Sequence, residues 1–184
     1  MNIRPTRLKG LFYGLLNRLE DDRGDFVKSY HEHLLREHGI EFTLREEFYS
    51  TSRKGVLRGM HFQKPPMDHF KIVICLAGSV HDVVIDLRIG SPTYGQAEGF
   101  HLSAVIPALL FIPPGFAHGF LALEEGSLMH YKTSEVHSPE HDSGIKWNSF
   151  GYDWGVHDVM LSNRDKALPG LGDFKSPFRM EASF

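Results

Sequence analysis

From Gly55 to Thr133 the chain is a succession of short apolar or alternating runs, each closed by glycine or proline. That punctuation constrains the fold more than any other feature. Strand-length runs repeated without helical periodicity leave an all-β sandwich or barrel. The runs 70–76 and 80–87 flank Ala77-Gly78-Ser79 and read as a hairpin. Within the second run His81, Val83, Ile85 and Leu87 share one face, and Asp82, Val84 and Asp86 the other. Further strands are read over 100–105 and 108–112; Pro113-Pro114, unable to donate ladder hydrogen bonds, ends the latter. The runs 119–123 and 127–133 read as another hairpin, turning at Glu124-Glu125-Gly126. One short helix is expected near the N-terminus. Ser29-Tyr30-His31-Glu32 has the form of a capping box, with Leu34 and Leu35 following and Gly39 as the stop. After Trp147 the pattern weakens into an irregular C-terminal tail.

A length of 184 residues suits one domain, 1–184, with room for a core that needs no staples. Hydrophobic residues at 41% and charged residues at 23% exclude wholesale disorder. A net charge of −3, without a basic run, speaks against nucleic acid and membrane surfaces as partners. The single cysteine, Cys75, rules out an intrachain disulfide, and its apolar neighbours read it as buried and inert. No run reaches about 18 consecutive apolar residues, and the N-terminus lacks a signal-peptide core. The expected location is the cytoplasm.

Phosphate-binding loops, a GxSxG elbow and HExxH are all missing from the chain. The informative polar residues lie in and beside strands. In Gly55-Val56-Leu57-Arg58-Gly59-Met60-His61-Phe62-Gln63, alternation puts Gly59, His61 and Gln63 on one face and Arg58, Met60 and Phe62 on the other. Lys71 opens the next strand, His118 stands in Phe116-Ala117-His118-Gly119-Phe120, Tyr131 closes a later strand, and Asp165 follows Ser162-Asn163-Arg164. Burying such groups in a small barrel for structure alone would be costly, and barrels of this size often hold one ligand inside.

Five blocks together resemble the motif series of the dTDP-4-dehydrorhamnose 3,5-epimerase family. They are Asp22-Arg23-Gly24-Asp25-Phe26, the block from Gly55 to Gln63, Ser91-Pro92-Thr93-Tyr94-Gly95, Ile112-Pro113-Pro114-Gly115-Phe116-Ala117-His118-Gly119-Phe120, and Tyr131-Lys132-Thr133. Order and spacing agree from near Leu8 to near Pro169. The resemblance implies a cupin-type jelly-roll barrel, usually dimeric and without cofactor or metal. It implies a substrate that links a nucleotide diphosphate to a 4-keto-6-deoxyhexose. On this resemblance His61 is the general base, Asp165 the carboxylate that orients it, Tyr131 the acid on the opposite face of the sugar, and Lys71 the cation near the ketone oxygen. Arg23, Arg58, His118, His137, Gln63 and Asp142 fall at substrate-contacting positions, although Glu140-His141-Asp142 by itself reads as a solvated loop.

The chemistry asks for these residue types independently of the name. A proton beside a ketone is too weakly acidic for an unaided imidazole, so a cation must stabilise the developing enolate by several kcal/mol. Histidine suits a base that must recycle near neutrality. Inversion needs the new proton from the other face, and a tyrosine, ordinarily titrating at about 10, can supply it.

Departures from the family pattern concern substrate contacts. Lys28 stands where a glutamate is common, Glu46-Glu47-Phe48 where Gln-x-Asn is common, and His137 where a tyrosine commonly stacks on thymine. Cytidine and guanosine diphosphate sugars therefore stay open as substrates, as does inversion at one carbon only. Two other classes compete. A metal-dependent cupin isomerase or dioxygenase would want His-x-His, where this chain has His61-Phe62-Gln63, and glutamine is a poor ligand beside histidine. A non-catalytic cupin would bind the sugar nucleotide without exchanging its protons.

Overall fold

Gly78 alone separates two strands that the sequence reads as a hairpin, yet those strands lie in different sheets. The structure, a computed structural model, describes residues 1–180. Six strands form one antiparallel sheet, in the order β1 (Asn2–Pro5), β2 (Phe12–Leu15), β10 (Ala108–Ile112), β7 (Lys71–Ala77), β12 (Ser127–Thr133) and β5 (Glu46–Ser52). Five form a second, in the order β13 (Asp142–Gly144), β6 (Leu57–Gln63), β11 (Phe116–Ala122), β8 (Ser79–Asp86) and β9 (Ala97–Ser103). A separate ribbon pairs β3 (Arg18–Asp21) with β4 (Gly24–Val27). From β6 to β13 the chain changes sheet at every step except β8 to β9, which is the jelly-roll course.

Both expected hairpins are therefore corners between sheets. β7 pairs with β10 and β12, and β8 with β9 and β11. The turn at 124–126 likewise leads from β11 in one sheet to β12 in the other. Period-2 patterning identifies strands and their faces, but it says nothing about which neighbour completes the ladder. At Gly78, φ is +68°, and a Cβ would stand 2.8 Å from Ser127 Oγ. Only glycine allows the crossing to be this tight.

Three apolar layers hold the sheets. Between them lie Val73, Cys75, Val84, Leu110, Phe120 and Met129, all buried. The outer face of the six-stranded sheet is covered by helix α1 (Glu32–Glu37) and its flanks, through Leu35 and Ile40 against Ile72, Ile74 and Phe111. The outer face of the five-stranded sheet is covered by the irregular C-terminal segment, whose Trp147, Trp154 and Phe178 pack on Val83, Ile85 and Leu121. The tail thus forms a layer of the fold, and its course across the sheet is what returns Asp165 to the interior.

Cys75 is buried as expected, and burial pushes its thiol up to about 11. The cap of α1 differs from expectation. His31, not Ser29, caps the helix, with Nδ1 accepting the Leu34 N–H. Tyr30 is drawn into the apolar layer beside Phe42, which delays the helix start past the serine. Gly39, at φ +71°, follows the helix as the stop. Among the described residues no helix is long and apolar enough to cross a membrane.

Candidate active site

The apolar filling between the sheets occupies one end; at the other it gives way to a cavity of about 500 Å³. Alternation explains the division. On β7, Val73 and Cys75 belong to the core while Lys71, on the same face, lines the cavity. On β12, Met129 is core, and Tyr131 and Thr133 reach the cavity. On β11, Ala122 closes the core, and Phe120 and His118 extend from it toward the opening. Glu46, Phe48 and Ser50, alternate residues of β5, complete the six-stranded wall.

The β6 wall breaks its own alternation. His118 pairs with His61 and Phe120 with Arg58, so β6 carries one residue more than β11 over this span. The bulge turns Arg58 onto the cavity face with His61 and Gln63, whereas the alternation read from sequence opposes them. Leu57 and Met60 pack outward under the C-terminal segment. Gly59 has φ +133°, and a Cβ there would lie 2.5 Å from Gly119 Cα, so two glycines are needed where the strands meet this closely.

His61 Nε2 lies 2.6 Å from Asp165 Oδ1, and the Gly59 N–H donates to Asp165 Oδ2 at 3.4 Å. Asp165 sits in the short helix α2 (Asn163–Lys166), capped by Ser162 Oγ, which accepts the Asp165 N–H. Burial pulls the His61 pKa below its ordinary 6.5, and Asp165 counters only part of this. Burial works to raise the Asp165 carboxyl, but the bond and charge of His61, the Gly59 N–H and the nearby Arg164 together outweigh it, and the net shift is downward. Near neutrality the pair is therefore a neutral imidazole backed by a carboxylate. His118 Nε2 has a similar partner, Asp82 Oδ2 at 2.7 Å, both fully within the interior.

Across the cavity, Tyr131 is buried, stacks on Phe48 with ring centroids 4.7 Å apart, and has Ser50 Oγ at 3.5 Å from its hydroxyl. Burial pushes its phenol above the ordinary tyrosine value, so it holds its proton. Lys71 is pushed down to about 8 by burial, against the opposing fields of Asp82 and Asp142.

Of the residues expected in the site, His61, Tyr131, Asp165, Lys71, Arg58, His118, His137, Gln63 and Asp142 all line this one cavity. Asp142 opens β13 rather than lying in a loop, and it is ion-paired to Arg164 at 2.7 Å. Arg23 is the exception. It sits in the turn between β3 and β4, 90% exposed, bound to Asp21 and away from the cavity. Gln63 is in place, but its amide is already engaged by backbone and by His69 Nδ1. His69 and Arg164 also line the cavity, although the sequence does not single them out. His69 stands two residues before Lys71, so strand parity could have placed it there; burial pushes it down to about 4. Among the described residues no group of three or more His, Cys, Asp or Glu side chains is arranged to hold a metal ion.

Two antiparallel sheets in this winding, with a polar cavity at one end of the interior, place the molecule in the cupin class of jelly rolls. A family model described as dTDP-4-dehydrorhamnose 3,5-epimerase matches residues 5–173. The dTDP-4-dehydrorhamnose 3,5-epimerase of Methanothermobacter thermautotrophicus is 41% identical over 151 residues, covering 79% of this chain and 81% of that one. Among solved structures, the dTDP-6-deoxy-D-glucose-3,5-epimerase of Legionella pneumophila, in complex with dTDP-4-keto-L-rhamnose, superposes with a TM-score of 0.93 at 35% identity, over 98% of this chain and 99% of that one. The dTDP-4-dehydrorhamnose 3,5-epimerase of Bacillus anthracis, with TDP and pyrophosphate bound, gives 0.89 at 36% identity, over 92% and 99%. The chain belongs to the dTDP-4-dehydrorhamnose 3,5-epimerase family: it is an isomerase that epimerises a nucleotide-linked deoxysugar, in deoxysugar biosynthesis.

Proposed function

We propose that the substrate is a dTDP-linked 4-keto-6-deoxyhexose and that His61, Lys71 and Tyr131 carry the reaction within one domain spanning 1–184. The observation that carries this reading is the opposition of His61 and Tyr131 across one cavity, on facing sheets, with Lys71 beside them. The His61 ring nitrogen not bonded to Asp165 takes the proton from a carbon next to the ketone. The electrons of that C–H bond move onto the ketone oxygen, and the Lys71 ammonium stabilises the enolate so formed. Tyr131 delivers a proton to the same carbon from the other face, and the configuration inverts. Solvent then removes the proton from His61 and returns one to Tyr131. Arg58, at the mouth, and His118, within, are further positive or donor groups for phosphate and sugar oxygens.

Arg23 is brought into this reading by a homodimer. The β3–β4 ribbon presents Leu19 and Phe26, 64% and 60% exposed, with Arg23 at its tip. A second copy would cover those side chains and receive the guanidinium at its own cavity. The cytoplasm, expected from the sequence, completes the proposal.

The test is incubation with dTDP-, CDP- and GDP-4-keto-6-deoxyhexoses in deuterium oxide, followed by NMR. Deuterium at carbon 3, carbon 5 or both is expected with the dTDP sugar. No exchange with any of the three would replace this reading by a binding module. Light scattering on the parent and on Phe26→Asp tests the dimer, which the charge should dissociate.

A further inference from the structure

His137 stands at the cavity mouth on an exposed segment, and its ring makes no hydrogen bond among the described residues. The ring's position therefore depends on its backbone, and that backbone is held by two side chains, one from each sheet. From β5, Glu46 Oε2 accepts the His137 N–H at 2.5 Å. From β6, Gln63 reaches the residues on either side: its Nε2 donates to Val136 O at 3.2 Å, and its Oε1 accepts the Ser138 N–H at 2.6 Å. The same Nε2 donates to Met67 O at 2.7 Å. Residues 136–138 thus form a strap between the two sheets, with His137 between its anchors.

The inventory of the Gln63 amide decides its role. A primary amide has two N–H donors and one oxygen with two lone pairs. Both donors are taken up within the chain, by Met67 and Val136 with His69 Nδ1 also 3.2 Å from the same nitrogen, and one lone pair by Ser138, while Gln63 is 5% exposed. Little remains for a ligand. No other residue of this size fits: a glutamate cannot donate to the two carbonyls, and a methionine fills the space without any of the bonds.

Building on the proposed function, we infer that Gln63 is a positioning residue for nucleotide recognition: it acts through the 136–138 strap, jointly with Glu46, to hold the His137 ring where the base enters. It makes no use of its own amide on the substrate.

A double-mutant cycle read by calorimetry with dTDP, together with backbone amide exchange, tests this. Gln63→Met should weaken dTDP binding about tenfold, as expected for lost anchoring bonds at a buried amide. The loss should fall on KM rather than kcat. In a His137→Ala background the same substitution should cost less than about twofold, because the ring it positions is gone. An equal loss in both backgrounds would overturn the inference, since Gln63 would then act on the ligand or on the fold as a whole. Independently of any ligand, Gln63→Met should accelerate exchange of the Ser138 amide; an unchanged rate would also overturn it. Should Gln63→Met fail to fold, Glu46→Ala, on the sheet edge, should accelerate exchange of the His137 amide and show the same cancellation. A parent chain that binds no dTDP sinks the proposed function, while the amide measurements still decide the strap.

Discussion

On the five-stranded wall each imidazole facing the cavity has a buried carboxylate behind it: Asp165 behind His61, and Asp82 behind His118. On the six-stranded wall Lys71 makes no side-chain hydrogen bond among the described residues, and Tyr131 has only Ser50 at 3.5 Å. The difference fits the roles proposed for His61, Tyr131 and Lys71. A base must be held in one tautomer and must accept positive charge, and a fixed carboxylate at hydrogen-bond distance serves both ends. An acid and an enolate-stabilising cation must instead keep their protons available to the substrate, so internal partners would compete with the reaction. The two walls are thus a braced one and an unbraced one. Fields across the cavity offset part of the cost of burial: Asp82 and Asp142 support the charge on Lys71 without a direct bond.

The largest effects should come from breaking the braced wall. His61→Ala should lower solvent-deuterium exchange by about 10²–10⁴-fold, the usual worth of general-base assistance. Asp165→Asn should act in the same direction and by less, because the ring remains. Exchange at the parent rate in His61→Ala would give the base role to another residue. On the unbraced wall Tyr131→Phe keeps the ring and its stack on Phe48 and removes only the proton. It should leave partial exchange and suppress productive inversion, so that the ratio of exchange to inversion rises. Parent-rate epimerisation would assign the acid elsewhere.

The braced wall is also where the sequence was hardest to read. His61, His118 and Lys71 follow from strand patterning and motif, and the structure places them in one cavity. Asp165 follows from resemblance alone, because no periodicity marks it. Its position depends on the tail covering an outer sheet face, a packing choice made by Trp147, Trp154 and Phe178. Arg58 is read on the wrong face because a bulge adds one residue to β6, and alternation counts residues without seeing such insertions. The corners at 77–79 and 124–126 look like hairpins because a glycine turn between two strand patterns is the same local signal in either case. Arg23 fits its motif, yet within one chain it stays on the exposed ribbon.

A pH profile sharpens the comparison at intermediate size. The base must be neutral, and burial lowers the His61 pKa below 6.5, so activity should rise with pH only below that value. The cation must be protonated, and burial lowers Lys71 to about 8. As pH rises through about 8 the ammonium is lost, and kcat/KM should fall, by about tenfold per unit beyond the limb. A surface lysine would postpone this fall by more than two units, to the ordinary 10.5. Lys71→Met should have low activity and no such limb. A parent profile flat to pH 10 would mean that the enolate is stabilised by another group.

The smallest effect belongs to the cavity mouth, beyond both walls, where His137 stands. Base–aromatic stacking is worth about 1–3 kcal/mol, and an imidazole presents less area to a pyrimidine than a phenol ring does. Because Glu46 and Gln63 hold the backbone rather than the ring, His137→Tyr can be made without disturbing either anchor. The variant should bind dTDP a few-fold more tightly than the parent, with CDP gaining less and the rate at saturating substrate moving little. Calorimetry with dTDP, CDP and GDP on both proteins measures this. Unchanged affinity for all three would mean that the ring turns away from the base, and that the departure at this position leaves substrate choice to the walls.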